Sequence, residues 1–182
     1  MAQRRSTFGP LRKRWAECEC DWHTKSENMK NCHLVILKKP YLNDILQGRK
    51  SVESRFTRTK RYYFGRVRPG DRLFLKFSSG PVCATAIVSK VKSFKDLTPD
   101  RICRIEHQYN CDIKGSSEYW QSKMSCRFGL LVWLRDVERI EPRRIDKKDW
   151  RAWVVLTEKE NFGLIGYSAS KTLHKPCRAG IF

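Results

Sequence analysis

The chain has 182 residues, 40% of them apolar and including six Trp and nine Phe, enough to fill the core of one domain. Thirty-eight Lys and Arg against 19 Asp and Glu leave a formal charge of +19, well beyond the roughly 2 to 8 that suffices to keep a small domain soluble, so a polyanion is the expected partner. The longest apolar runs, Leu34 to Leu37 and Leu130 to Leu134, fall far short of the roughly 18 residues of a membrane span, and eight Cys without a secretory leader read as reduced thiols; a soluble, monomeric cytoplasmic protein is expected.

Residues 1–30 mix Arg4, Arg5, Arg12, Lys13 and Arg14 with isolated acids and show no period, so they read as a disordered basic arm. Met29 stands just before the first strand-like run, His33 to Lys38, and an initiation codon assigned too far upstream would give the same pattern. Pro40 then opens a short helix with Tyr41, Leu42, Ile45 and Leu46 on one face and Gly48 as its left-handed stop. Val52, Ser54 and Phe56 alternate with Ser51, Glu53 and Arg55, which predicts a half-buried strand. Pro69-Gly70-Asp71 is a turn, and a hairpin follows, with Leu73, Leu75 and Phe77 on one arm, Ser78 to Pro81 at the tip and Val82 to Val91 on the other.

Thr98-Pro99 reads as an N-cap and first-turn Pro for a helix carrying Ile102, Ile105 and Tyr109, and a second short helix follows Ser116-Ser117 through Trp120. Phe128 to Leu134, Val137 to Ile140 and Trp153 to Leu156 read as closing strands, the first buried on both faces. This pattern is mainly β with short helices (α+β), and a small closed barrel over residues 31–156 removes exposed edges. Residues 157–182 show no periodicity and read as a tail.

The densest charge lies between Arg49 and Lys76, where ten cations face only Glu53 and Asp71, a net +8 in 28 residues. Arg49, Lys50, Arg55, Arg58, Lys60, Arg61, Arg66 and Arg68 are candidate phosphate contacts, and Tyr62 and Tyr63 are candidate stacking rings within the same run. The competing structural role for these aromatics is to plug the barrel end. The stretch from Gly48 to Arg55 places Lys50, Glu53 and Arg55 at a helix-to-strand junction. A neighbouring Glu53 favours a charged Lys50, and a charged Lys with a forked Arg suits phosphate binding more than proton abstraction.

Pro40-Tyr41-Leu42, Ile45-Leu46, the G-x-K-x-x-E-x-R run from Gly48 to Arg55 and the later Pro69-Gly70-Asp71 turn together resemble the ASCH domain, over residues 33 to 156. The resemblance implies a PUA-like β-barrel with a cleft between barrel and helices, an RNA ligand, and Lys50, Glu53 and Arg55 as cleft residues. One branch of that family removes the acetyl group from acetylcytidine with a Lys, a Thr and a Glu. Lys50 matches the Lys, Glu106 falls near the Glu, and Glu53 stands where the Thr would be, which removes the expected hydroxyl. Some members are reported as ribonucleases, a chemistry for which Lys50 and Glu53 are candidate proton carriers.

Weaker signals complete the reading. Cys18, Cys20, His23, Cys32 and His33 are zinc-ligand types, but their spacing is not that of a common finger, and no metal or cofactor is expected. Cys103 and His107, four apart on a helix, are expected as a buried thiol beside an exposed ring rather than a catalytic pair. Trp120, Trp133, Trp150 and Trp153 are candidates for base stacking, with Trp133 assigned to the core. The expected function is RNA binding through a basic cleft, with an RNA or modified-nucleoside hydrolase as the alternative and a basic adaptor for a ribosomal or other protein partner as the third.

Overall fold

A computed structural model describes residues 31–145, 147 and 150–156; the arm over residues 1–30 and the tail over residues 157–182 lie outside the described residues. The elements are β1 (Cys32–Leu37), α1 (Lys39–Leu46), β2 (Val52–Thr57), β3 (Arg72–Phe77), β4 (Val82–Phe94), α2 (Pro99–Ile113), α3 (Ser117–Gln121), β5 (Phe128–Arg143) and β6 (Trp153–Val155). The six strands form one sheet in the order β2-β5-β4-β3-β1-β6. Every pair is antiparallel except β1 with β3, whose crossover contains α1 and β2.

Local signals place the helices. Pro40 sits in the first turn of α1, and Gly48 just beyond it has φ +72, a conformation that costs glycine least. The Thr98 hydroxyl caps α2 by accepting from the Arg101 N–H at 3.4 Å, and the Ser116 hydroxyl caps α3 by accepting from Tyr119 N–H at 3.2 Å.

Strand parity sorts side chains onto two faces. Directly opposed residues share a face, so Glu53 and Arg55, opposite Val132 and Leu130, point to the inner face of the curled sheet with Val35, Leu73, Leu75 and Ala84. Val52 and Phe56 point outward and pack under α2 and α3 with Ile102, Ile105, Ile113, Trp120 and Leu131. A third cluster of Leu34, Phe74, Val82 and Val154 covers the outer face of β1, β3 and β6. The polar face expected on β2 is thus the inward one, and neither face of that strand meets open solvent at Glu53.

The structure joins the two expected strands from Phe128 to Ile140 into the single β5. Asp136 adopts φ +50 within it, and the β4–β5 register shifts three times, so bulges bend a continuous strand where the sequence shows a polar break. The barrel is a half-barrel: among the described residues no ladder joins the end strands β2 and β6. Side chains span that seam instead. An Arg55 NH2 group on β2 donates to the Ile36 carbonyl of β1 at 3.0 Å, its guanidinium lies 5.6 Å from the Trp153 ring centroid on β6, and the Tyr62 hydroxyl donates to the Trp153 carbonyl. No helix among the described residues is long and apolar enough to cross a membrane.

Candidate functional site

The seam opens into a cleft of about 1150 Å³, walled by α1 and the start of β1's loop on one side, α3 on another, and the loop after β2 and the approach to β6 on the rest. Lys50, Glu53, Ser54 and Arg55 form its floor. The Gly48 turn lets Arg49 and Lys50 N–H both reach the Asp44 carbonyl at 2.9 and 3.1 Å, which aims the Lys50 side chain into the protein. Lys50 is buried, at 4% exposure, and its ammonium donates to Val52 O at 2.6 Å and Ile113 O at 2.7 Å. Ile113 ends α2, where a cation meets the negative pole of the helix. Ser51 adds two further bonds there, from its N–H to Asp112 O at 3.1 Å and from its hydroxyl to Asp112 Oδ1 at 3.0 Å. Lys50 and Ser51 therefore fasten the C-terminus of α2 to the floor of the cleft.

Glu53, also buried, links the cations. Its Oε1 lies 2.8 Å from Arg55 Nε, an ion pair whose N–H is not aimed along the contact, and its Oε2 lies 3.9 Å from Lys50 Nζ. Burial pushes the Lys50 ammonium below the ordinary lysine value; Glu53 pulls it back up and Arg55 pushes it further down. Neighbouring charges are all that the sequence offers for Lys50; in the folded chain burial is the larger influence. On the outward side of β2, the Ser54 and Tyr119 hydroxyls lie 2.7 Å apart, and burial raises the Tyr119 phenol well above its usual value. Tyr119 packs edge-on against Tyr41 of α1, closing the cleft between the two helices.

Behind the seam a buried chain orients Trp153. The indole Nε1–H, which can only donate, bonds His33 Nδ1 at 3.3 Å, so His33 carries its proton on Nε2 and donates to Asp71 Oδ2 at 2.9 Å. Asp71 also accepts from the N–H groups of Asn31 at 2.9 Å and Arg68 at 2.7 Å, which explains the Gly70-Asp71 turn.

The structure divides the expected binding residues. Lys50, Arg55, Arg61, Tyr62 and Tyr63 line the cleft together with Glu53. Arg49, Arg58, Lys60, Arg66 and Arg68 are exposed but do not line it; Arg49 pairs with Asp44, and Arg58 bonds the Ser125 hydroxyl at 3.1 Å. Tyr63 is a core ring stacked on Trp153 and Phe64, whereas the half-buried Tyr62 ring lies under the Arg66 and Arg151 guanidiniums at the cleft. Glu106 sits on α2 outside the cleft, whereas Glu118 at the start of α3 lines it.

Trp150, a stacking candidate in the sequence, also lines the cleft, together with Lys38, Lys123 and Arg151, which carry no motif. The i, i+4 spacing of Tyr119 and Lys123, whose ammonium lies 4.8 Å from the Tyr119 ring centroid, was the one local signal available. Of the zinc-type residues, Cys18, Cys20 and His23 lie outside the described residues, while Cys32 and His33 are buried in β1. Cys103 is exposed rather than buried, because its position on α2 faces away from the Ile102–Ile105 stripe.

Comparison with known proteins places this architecture. The structure is similar to the crystal structure of ASCH from Zymomonas mobilis, with a TM-score of 0.57 at 14% identity over 74% of this chain and 94% of that one. Two single-substitution mutants of the Zymomonas mobilis protein match alike, with TM-scores of 0.55 and 0.56 at 14% and 16% identity, over 74% and 75% of this chain and 96% and 95% of theirs. No protein-family model matches the sequence, and neither does a curated protein. The chain has an ASCH-like fold, a curled six-stranded half-barrel with three short helices.

Proposed function

We propose that this protein binds RNA in the seam cleft, with Lys50, Glu53 and Arg55 forming a polar floor and the rim cations holding phosphates. The carrying observation is the composition of the cleft: Lys38, Lys50, Arg55, Arg61, Lys123 and Arg151 line it against only Glu53 and Glu118. Its volume of about 1150 Å³ lies above the roughly 300–1,000 Å³ typical of small-molecule pockets, which suits a polymer segment better than a free nucleoside. The exposed cations of the loop after β2, Arg58, Lys60, Arg66 and Arg68, extend the positive surface beyond the cleft. Affinity for RNA is expected to fall linearly on a log–log plot against salt, since each neutralised phosphate releases counterions. Crosslinking and sequencing of copurified RNA identifies the ligand, and binding that does not change with salt contradicts the proposal.

One observation favours the alternative, an RNA or modified-nucleoside hydrolase. Burial disfavours the Lys50 ammonium, and a neutral amine can keep both carbonyl bonds while offering its lone pair toward Glu53 and the cleft. Glu106 has no place in that chemistry as the fold stands. Lys50→Arg separates the readings, because a guanidinium stays protonated and cannot act as a base. Turnover of RNA or acetylcytidine by the wild type, lost in Lys50→Arg with RNA binding intact, establishes the enzyme.

A further inference from the structure

Among the described residues, Trp150 is the one large apolar side chain left in solvent, with a relative exposure of 101%. Burying it elsewhere would favour folding, so its position contributes nothing to the core. The other tryptophans considered as stacking residues are committed: Trp120 and Trp153 are 1% exposed, and Trp133 has the Lys90 ammonium 4.9 Å from its ring centroid and Tyr109 against its edge. The rings of the basic loop are committed as well, Tyr63 between Phe64 and Trp153 and Tyr62 beneath two guanidiniums. Trp150 lines the seam cleft, and Ala152, two residues on, is anchored to β1 through the Ile36 N–H at 2.9 Å. The indole therefore stands at the cleft on a short tether from the sheet.

We infer that Trp150 is the base-stacking residue of the cleft, presenting its indole to one unstacked base of a single-stranded RNA segment whose phosphates lie along the cations of the same lining. The inference rests on the RNA-binding reading and adds to it the residue that holds a base and the single-stranded form of the ligand. Two features select a base over an apolar protein side chain. A protein docking surface needs a contiguous apolar patch of hundreds of Å², and no other large apolar side chain among the described residues is exposed beside Trp150. Its surroundings are cationic instead, with Arg151 adjacent and Lys38 and Arg61 in the same lining, and an aromatic face among cations is the pattern that binds single strands.

The test measures binding of labelled single-stranded oligo(A) and oligo(U), and of a duplex RNA of equal length, by fluorescence anisotropy across a salt series for the wild type, Trp150→Ala and Trp150→Phe. Trp150→Ala is expected to weaken single-strand binding about 5- to 150-fold, the range for loss of one stacked base, while its salt slope stays at the wild-type value because phosphate contacts remain. Trp150→Phe should retain most of the affinity yet lose the ligand-induced quenching of Trp150 fluorescence expected of the wild type. Because the side chain is free of the core, both variants should melt with the wild type. If the wild type binds RNA with the expected salt dependence and Trp150→Ala binds equally well, the stacking inference fails and the RNA-binding reading stands. If the wild type binds none of the RNAs, both fail; a lowered melting temperature in Trp150→Ala, or a preference for duplex, overturns the inference alone.

Discussion

Glu53→Gln keeps the shape of the cleft floor and removes the carboxylate between buried Lys50 and half-buried Arg55. In the wild type Glu53 Oε1 is 2.8 Å from Arg55 Nε and Oε2 is 3.9 Å from Lys50 Nζ, with Glu53 itself 6% exposed. Breaking a buried pair by removing one partner costs about 3–5 kcal/mol, because the charge left behind is desolvated and uncompensated. The loss should depend on pH, with a sign that follows from Lys50. Its folded pKa is below the ordinary 10.5, first through burial, so the unfolded chain holds more protons between the folded value and 10.5 and stability rises with pH across that window. Glu53 is the main influence holding the folded value up. Without it the window opens at lower pH, the variant gains stability where the wild type does not yet, and the deficit shrinks as pH rises toward 10.5. Urea unfolding at about pH 7 and about pH 10 measures this directly. A deficit below about 1 kcal/mol, or one that does not shrink with pH, refutes the claim that Glu53 is the counterion of a buried lysine.

Gly115→Ala places a Cβ 2.6 Å from Tyr119 Cδ1 and 2.7 Å from Trp120 Nε1, so α3 must shift; thermal unfolding should show a loss of about 1–3 kcal/mol, the range for overpacking, with weaker RNA binding as the Tyr119 wall moves. Iodoacetamide followed by peptide mass mapping should label exposed Cys103 and Cys111 in the native protein and spare Cys83 and Cys126, whose thiols burial both covers and pushes to higher pKa. Denaturant should equalise the four.

Short-range physics made several elements readable in the sequence. Pro40 and Gly48 bracket α1, Thr98 and Ser116 cap α2 and α3, and the alternation from Val52 to Phe56 separates the two faces of β2. Each depends on residues within a turn or a few strand positions, so the sequence carries the information locally. Lys50, Glu53 and Arg55 fall together in the cleft because they are near neighbours along one turn and strand.

What the sequence leaves open is set by contacts between distant segments. Parity says that Glu53 and Arg55 share a face; only the pairing of β2 with β5 decides that this face is the inner one. Charge counting places Glu53 beside Lys50, but the burial of Lys50 comes from α2, whose last carbonyl, 63 residues away in sequence, receives its ammonium. Tyr62 and Tyr63 read as stacking rings until β6 arrives from 91 residues further on and takes them up at the seam. The sequence puts Trp153 in a closing strand and Trp150 just before it, but the fate of each ring depends on where the short β6 strand docks. Docking on β1 buries Trp153 against His33 and leaves Trp150, three residues before the ladder begins, at the rim in water.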